Sequence, residues 1–462
     1  MDVNHILVVA MIVTFILLLF SGYPIPFVLA GVSALFTLIG YLADLYLGTS
    51  TGVDYMYVGM VVNRIFKLMD NWVLVAIPMF IFMGLMLDRS GVAERMMGSI
   101  QDMFGRVRGG LAVTVTAIGI VLAASTGIIG ASVVLLGLLA IPTMLRQGYD
   151  KSFAAGTVAA AGTLGILIPP SIMLVIMADQ LGLSVGDLFM GAVFPGLILG
   201  GMYIVYILLI SFLDPNKAPL PDNRSPLSFG VVWNVLKTAL PAVLLILAVL
   251  GSIFAGVTTV TEASGVGALG AIVLAAINKK LDFKTLKEVI HDTFNTTGYI
   301  FGIFIGATCF ALVLRGLGGD DLISMALTGL PFGSYGTIIA LLLIIFLLGF
   351  FLDWIEITLI VLPLLTPVVA SLDIQVSGFG VVDNPEMIWF LLLVAMALQT
   401  SFLTPPVGFA IFYLRGVAPT DIQLGHIYRG VIPFIVLQLI ALTMLVIWPG
   451  LVTWLPAVAY GN

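Results

Sequence analysis

The chain has 462 residues, 61% of them apolar and 9% charged, with a formal net charge of −6 and a mean hydropathy of +1.19. Soluble domains carry about 25% charged residues, so a water-soluble fold is excluded, and scattered charges of net negative sign exclude nucleic acid as a partner. A single cysteine, Cys309, excludes an intrachain disulfide, and His5, His291 and His426 lie too far apart in sequence to form an evident metal or catalytic cluster.

Asp, Glu, Lys and Arg are absent from 3–43, 109–145, 152–178, 188–213, 238–261, 293–314, 322–352, 387–414 and 430–462. A helix needs about 20 apolar residues to cross a bilayer, so several of these stretches must turn back inside it. Continuous apolar runs, rather than short alternating ones, exclude a membrane barrel and leave helices as the spanning elements. The first run has no basic leader and no small-residue cleavage site, and reads as a retained span.

Basic residues cluster at Arg89 to Arg108, Arg146 with Lys151, Lys217 to Lys237, Lys279 to Lys287, and Arg415 with Arg429. The positive-inside rule places these in the cytoplasm. Connections 44–56, 183–187, 256–261 and 371–386 hold no Lys or Arg but carry Asp44, Asp54, Asp187, Asp373, Asp383 and Glu386, and read as external.

In chain order, the path starts outside with spans at 5–20 and 24–42. An interfacial amphipathic segment at 57–70, with Arg64 and Lys67, leads to a span at 72–88. Segment 110–145 begins and ends at basic clusters, which predicts a re-entrant hairpin with its tip near Ser125-Thr126-Gly127. Segment 152–182 runs outward, 189–212 inward, 238–255 outward, 262–278 inward and 293–314 outward. Residues 335–370 lie between external stretches and predict a second hairpin, entering from the opposite side. Segment 387–414 runs inward and 431–455 outward, so both termini are expected outside. Trp72, Trp389, Trp448 and Trp454 fall near predicted external ends and suggest an aromatic belt; plain core packing is the alternative for each.

Gly165-Ile-Leu-Ile-Pro-Pro-Ser171 and Ser401-Phe-Leu-Thr-Pro-Pro-Val407 occupy corresponding places. Each lies midway along a charge-free run, follows a proline-containing hairpin and precedes a span with an early proline, Pro195 or Pro433. The first copy runs outward and the second inward, which marks an inverted-topology repeat whose interrupted helices point to a transport site. A double proline removes two backbone donors and blocks the carbonyls one turn earlier. Such backbone survives at membrane depth only when buried in protein or lining a cavity. Oxygen donors of this kind suit a hard cation, with sodium the expected occupant; a packing kink is the alternative.

Ala123-Ala-Ser-Thr-Gly-Ile-Ile-Gly-Ala-Ser132 has the small and hydroxyl residues of a tip that approaches a ligand closely, although Gly130 and Ala131 equally suit helix packing. In Gly349-Phe-Phe-Leu-Asp353 a carboxylate stands beside a breaker, either to hold a cation or to cap the second helix of its hairpin. Glu356 faces either the site or water at the rim. Arg315 adjoins the glycine-rich Gly316-Leu-Gly-Gly319 and suits a bidentate contact to a carboxylate or sulfonate. Its alternatives are a salt bridge to Asp320 or Asp321, or an interfacial position. Glu262 begins a helix, where the dipole favours an acidic residue; a gating role is secondary.

Six strings in order resemble the large membrane subunit of tripartite ATP-independent periplasmic (TRAP) transporters, the DctM-like family, over nearly the whole chain. They are Ala76-Ile-Pro-Met-Phe-Ile-Phe-Met-Gly84, Leu139-Ala-Ile-Pro-Thr-Met-Leu-Arg-Gln-Gly-Tyr-Asp150, Gly165 to Ser171, Thr261-Glu-Ala263, Gly349 to Asp353 and Leu403-Thr-Pro-Pro-Val-Gly408. The resemblance implies an all-α polytopic membrane protein of the ion transporter superfamily type. It has an inverted-topology repeat, two re-entrant helical hairpins, two broken helices and an elevator mechanism. On that plan 1–108 are N-terminal scaffold helices and 109–188 the first transport-domain half. Residues 189–333 are scaffold and cytoplasmic connections, 334–416 the second transport-domain half, and 417–462 the C-terminal helix.

The resemblance further implies sodium as the coupling ion, with no other cofactor. The first sodium site would use Ala123, Ser125, Thr126, Gly165, Ile168 and Pro169, and the second Gly349, Asp353, Ser401, Thr404 and Val407. Substrate is expected at Arg315, Ser125, Thr126 and Glu356. Implied partners are a small membrane (Q-type) subunit, a periplasmic substrate-binding protein, the lipid bilayer and a small organic anion such as a C4-dicarboxylate, 2-oxo acid, sialic acid or sulfonate. The implied location is the inner membrane of a bacterium or archaeon. Two departures from the family pattern, Ile128-Ile129 after the tip and Glu356 in place of a small or neutral residue, lie where selectivity would be set. A stand-alone sodium-coupled carboxylate transporter or ion antiporter is the alternative. An enzyme would have only Asp353 and Glu356 to work with, and a channel fits two opposed hairpins less well than alternating access does.

Overall fold

The computed structural model describes residues 3–104, 107–126, 129–220, 228–328, 333–372, 374, 376 and 384–460. All regular structure among them is helical. In chain order it comprises α1 (Val3–Leu19), α2 (Ile25–Leu47), α3 (Tyr55–Met69), α4 (Ala76–Arg89), α5 (Val92–Phe104), α6 (Gly110–Thr126) and α7 (Ile129–Arg146). There follow α8 (Lys151–Thr163), α9 (Ile172–Leu181), α10 (Val185–Leu213), α11 (Phe229–Phe254), α12 (Val260–Ile277), α13 (Phe283–Gly316) and α14 (Gly319–Thr328). The last are α15 (Gly333–Leu348), α16 (Trp354–Glu356), α17 (Leu362–Ser371), α18 (Pro385–Leu403), α19 (Phe409–Val417), α20 (Leu424–Ile447) and α21 (Gly450–Tyr460). A π turn, Ile357–Val361, joins α16 to α17. Ten helices among the described residues are long and apolar enough to cross a membrane.

The chain forms two compact units, the first from Met1–Trp72 and Phe294–Gln375, the second from Val73–Thr293 and Val376–Asn462. In the first, α13 lies so close to α2 that a Cβ on Gly306 would come within 2.7 Å of the Pro26 carbonyl. Phe15 packs on Phe310 with ring centroids 5.1 Å apart, and the Tyr57 hydroxyl donates to the Leu312 carbonyl at 3.2 Å. α14 packs on α17. Helix α3 is amphipathic, as its sequence predicts: no residue of it is buried, and Asp54 caps its start.

The second unit is organised around two helices that are apolar on every side, which is the pattern of a helix enclosed by neighbours. In α8 every residue from Phe153 to Thr163 is buried, and in α18 every residue from Met387 to Leu403. Gly156 of α8 and Gly430 of α20 meet backbone to backbone, leaving no room for a Cβ on either. Both α6 and α7 rest on α8 through glycines, with Gly119 of α6 against Ala161 and Gly162 of α8 against Val133 of α7. Elsewhere α4 packs on α12, and Thr259 and Glu262 form a reciprocal capping box at the start of α12, the helix-terminal role read from the sequence for Glu262.

Three expectations are corrected. Trp389 belongs to no aromatic belt: it is fully buried in α18, its indole Nε1 donating to the Leu445 carbonyl at 2.8 Å. Trp72, Trp448 and Trp454 are exposed. The single span at 431–455 is two helices, α20 and α21, separated at Trp448-Pro449 because proline has no amide with which to continue α20. The span at 293–314 starts earlier, at Phe283, in a helix of 34 residues whose first turns are amphipathic rather than apolar. The expected tip residues Gly127 and Ile128, the external Asp373 and Asp383, and the side chains of Ala123, Ser125 and Thr126 lie outside the described residues.

Candidate functional site

The first break lies between α8 and α9. The helical donors for the carbonyls of Gly165 and Ile166 would be the amides four residues on, but those positions are Pro169 and Pro170. The chain tightens into a 3-10 turn at Leu164–Ile166, and the Leu164 carbonyl accepts from the amides of both Leu167, at 3.1 Å, and Ile168, at 3.0 Å. Ser171 replaces one missing donor, its hydroxyl reaching the Ile166 carbonyl at 2.8 Å. The Gly165 carbonyl receives no such substitute among the described bonds. All residues from Gly165 to Ser171 are buried, and Ile168 seats against Gly196 of α10.

Helix α6 runs beside this break. The Tyr149 hydroxyl, just before α8, accepts from the amides of Leu111 and Ala112 at the start of α6, and burial pushes its pKa up to about 12. Gly119 faces Ala161 further along, so α6 and α8 run side by side in the same direction. That direction carries the C-terminal turn of α6, with Ala123, Ser125 and Thr126, towards Gly165, Ile168 and Pro169, and α6 does pack on the 3-10 turn. Two helix C-termini therefore approach one region, where the partial negative charge of unpaired carbonyls favours a cation.

The second break repeats the design between α18 and α19. Pro405 and Pro406 stand where donors for the carbonyls of Ser401 and Phe402 would be. The Thr404 amide turns back to the Ser401 carbonyl at 3.1 Å, and its hydroxyl donates to the Thr400 carbonyl at 2.6 Å. Gly408 adopts φ +48°, and an added Cβ would lie 3.0 Å from the Thr404 carbonyl oxygen and 3.1 Å from that of Phe402; only glycine suits this turn. Both Pro-Pro bonds, 169-170 and 405-406, are cis. The copies differ in one respect. Val407 stands where the first copy has Ser171, so no hydroxyl serves the Phe402 carbonyl, and Val407 is 40% exposed whereas the first break is enclosed.

The remaining candidates belong to the first unit. Asp353 caps the short helix after Gly349-Phe-Phe-Leu, its Oδ1 accepting from the Trp354 amide at 2.8 Å, which is the capping role read from the sequence. Glu356 does not face water at a rim, a correction to one reading: it is 0% exposed, and neither carboxylate oxygen meets hydrogen-bond geometry with a donor among the described residues. It is enclosed because Trp354 to Ile360 are buried as a continuous stretch on all sides of the helix. Arg315 makes the alternative contact foreseen for it, with Nε 3.2 Å from Asp320 Oδ2, both side chains partly exposed. Gly349, Asp353, Arg315 and Glu356 thus lie in the first unit, and Ser401, Thr404, Val407 and the whole first sodium set in the second.

Sequence reasoning missed a buried polar chain in the second unit. The Gln399 amide Nε2 donates to Thr163 Oγ1 at 3.4 Å, the Tyr203 hydroxyl is hydrogen-bonded to Thr163, and the Gln438 amide donates to Tyr203 at 2.9 Å. Thr163, Tyr203, Gln399 and Gln438 are all 0% exposed. The available signal was a lone glutamine inside each of two otherwise apolar spans.

A multi-pass helical membrane protein with two proline-broken helices belongs to the architecture of secondary transporters. The sequence matches the family described as "Tripartite ATP-independent periplasmic transporter, DctM component" over residues 12–451, and the chain belongs to that family. It is 30% identical over 398 residues to the C4-dicarboxylate TRAP transporter large permease protein DctM of Pseudomonas aeruginosa, covering 86% of this chain and 87% of that one. It is 28% identical to the isethionate TRAP transporter permease protein DctMQ of Oleidesulfovibrio alaskensis, covering 94% of this chain and 66% of that longer protein. Among solved structures, the Alcanivorax borkumensis YdaH transporter shares the fold at a TM-score of 0.53 and 14% identity, over 82% of this chain and 85% of that one.

Proposed function

We propose that this chain is the large permease subunit of a sodium-coupled, binding-protein-dependent carrier that imports a small organic anion by an elevator movement. The observation that carries the reading is the pair of matched breaks, each placing carbonyls without helical donors beside a helix C-terminus. This arrangement coordinates sodium in carriers built on broken helices. The first site draws on the backbone of Ala123, Ser125, Thr126, Gly165, Ile168 and Pro169. The second draws on Ser401, Thr404 and Val407 at the other break. Arg315, held only by a partly exposed ion pair, is free to exchange Asp320 for a carboxylate or sulfonate.

The substrate classes follow from relatives named for C4-dicarboxylate and isethionate transport, which share an anionic head group. A periplasmic binding protein and a small membrane subunit are the expected partners. The test is reconstitution of the permease with a cognate small subunit and binding protein, with uptake measured under imposed ion gradients. Uptake that needs both an inward sodium gradient and the binding protein supports the reading. Equal rates with and without sodium would remove the coupling ion, and full uptake by the permease alone would favour the stand-alone carrier.

A further inference from the structure

The strongest unassigned feature is the contact between the two broken helices. Thr163 precedes Pro169 by six positions, and Gln399 precedes Pro405 by the same six, so the two residues occupy one position of the repeat. Thr163 is the last residue of α8 before the 3-10 turn, and Gln399 lies in the last full turn of α18. Tyr203 and Gln438 continue the chain on α10 and α20, each the next long helix after its own break.

We propose that the Thr163–Gln399 hydrogen bond is a positioning link through which each broken-helix turn sets the geometry of the other. Thr163 donates its hydroxyl proton to the Ala160 carbonyl at 2.8 Å, which fixes its oxygen as the acceptor for Gln399. At 3.4 Å the bond is near the long limit of hydrogen bonding, so a small shift of either turn makes or breaks it. Both side chains are fully buried, so water cannot substitute for the lost partner. The Oε1 atoms of Gln399 and Gln438 have no hydrogen-bond partner among the described residues. Two glutamines retained in apolar helices at a net polar cost indicate a directional contact rather than bulk packing.

In that role the link joins the two proposed ion sites, a consequence that rests on the sodium reading; the link itself does not. Its direct test is amide hydrogen exchange on the purified full-length permease with its small subunit, free of sodium and substrate. Gln399→Met, on the second broken helix, should speed exchange of the Leu167 and Ile168 amides in the first break on the order of fivefold, the scale of a modest coupling between sites. Thr163→Val should likewise speed exchange of the Thr404 amide in the second break, while Thr163→Ser, which keeps the hydroxyl, should leave both breaks as in the wild type. Changes confined to the substituted helix, or equal loss with Thr163→Ser, would overturn the link. A Gln399→Met protein that does not fold leaves the Thr163→Val and Thr163→Ser pair to decide. Sodium titration of uptake gives a separate result: with sodium-driven uptake, Gln399→Met should flatten the sodium dependence towards a Hill coefficient of about one. Uptake indifferent to sodium in the wild type would refute the coupling ion and leave the exchange result unaffected.

Discussion

Arg315 and Asp320 form an ion pair across the glycine turn that joins α13 to α14, with Nε and Oδ2 3.2 Å apart and both side chains partly in solvent. Exposed pairs of this kind contribute about 0–1 kcal/mol. Arg315→Ala should therefore lower melting temperature little but reduce uptake severely. Asp320→Asn should be mild in both. Vesicle uptake set beside thermal melts separates the two roles, and normal uptake by Arg315→Ala would return the arginine to its ion pair alone.

Thr404 keeps lone pairs available after donating to the Thr400 carbonyl. Thr404→Val should raise the sodium concentration for half-maximal uptake several-fold, while costing about 1 kcal/mol of stability from the lost hydrogen bond. Unchanged sodium dependence would count against the second site.

Gly156 and Gly430 leave no space for a side chain where α8 crosses α20. Gly156→Ala should destabilise the protein by about 1–3 kcal/mol or more, the range for overpacking. Gly201→Ala, at a position with nothing within 4 Å, should be neutral or slightly stabilising. Melts of both proteins in the same detergent make the comparison.

Glu356 is enclosed with no hydrogen-bond partner for either oxygen among the described residues, and a buried polar group left in that state costs about 1–3 kcal/mol. Glu356→Leu should leave the melting temperature unchanged or raise it. A lowered melting temperature would show that the carboxyl group contributes to folding.

Tyr149 is held at about pKa 12 in the folded protein, raised from 10.0 by burial. The unfolded chain loses this proton first as pH rises, so the contribution of Tyr149 to stability is intact below pH 10 and declines between about 10 and 12. Tyr149→Phe should lose roughly 0.5–1.5 kcal/mol at neutral pH, with the hydrogen bonds to Leu111 and Ala112. It should also show a shallower loss of stability above pH 10 than the wild type, measured by alkaline melts.

Much of the fold was legible because its signals are local. A missing amide at Pro169-Pro170 or Pro405-Pro406 breaks a helix whatever surrounds it, and Thr259 with Glu262 caps a helix from three residues away. The candidate ion sites followed from the same breaks. Other features depended on partners distant in sequence. Nothing near Trp389 shows that Leu445 will accept its indole proton, and a string of small residues does not show that Gly156 will meet Gly430. Arg315 and Glu356 were each read with alternatives open; the fold sets Arg315 beside Asp320 and excludes only the water-facing reading of Glu356.

The sequence by itself determined a helical membrane protein and the two breaks, because hydropathy, charge and proline chemistry act on neighbouring residues, and the order of six short strings carried the family resemblance. The tertiary structure alone decided which side chains are enclosed and which meet. It enclosed Glu356 with no hydrogen-bond partner among the described residues, and set Gln399 of one broken helix against Thr163 of the other. Burial and hydrogen bonding between segments more than two hundred positions apart depend on how helices pack, which no local pattern encodes.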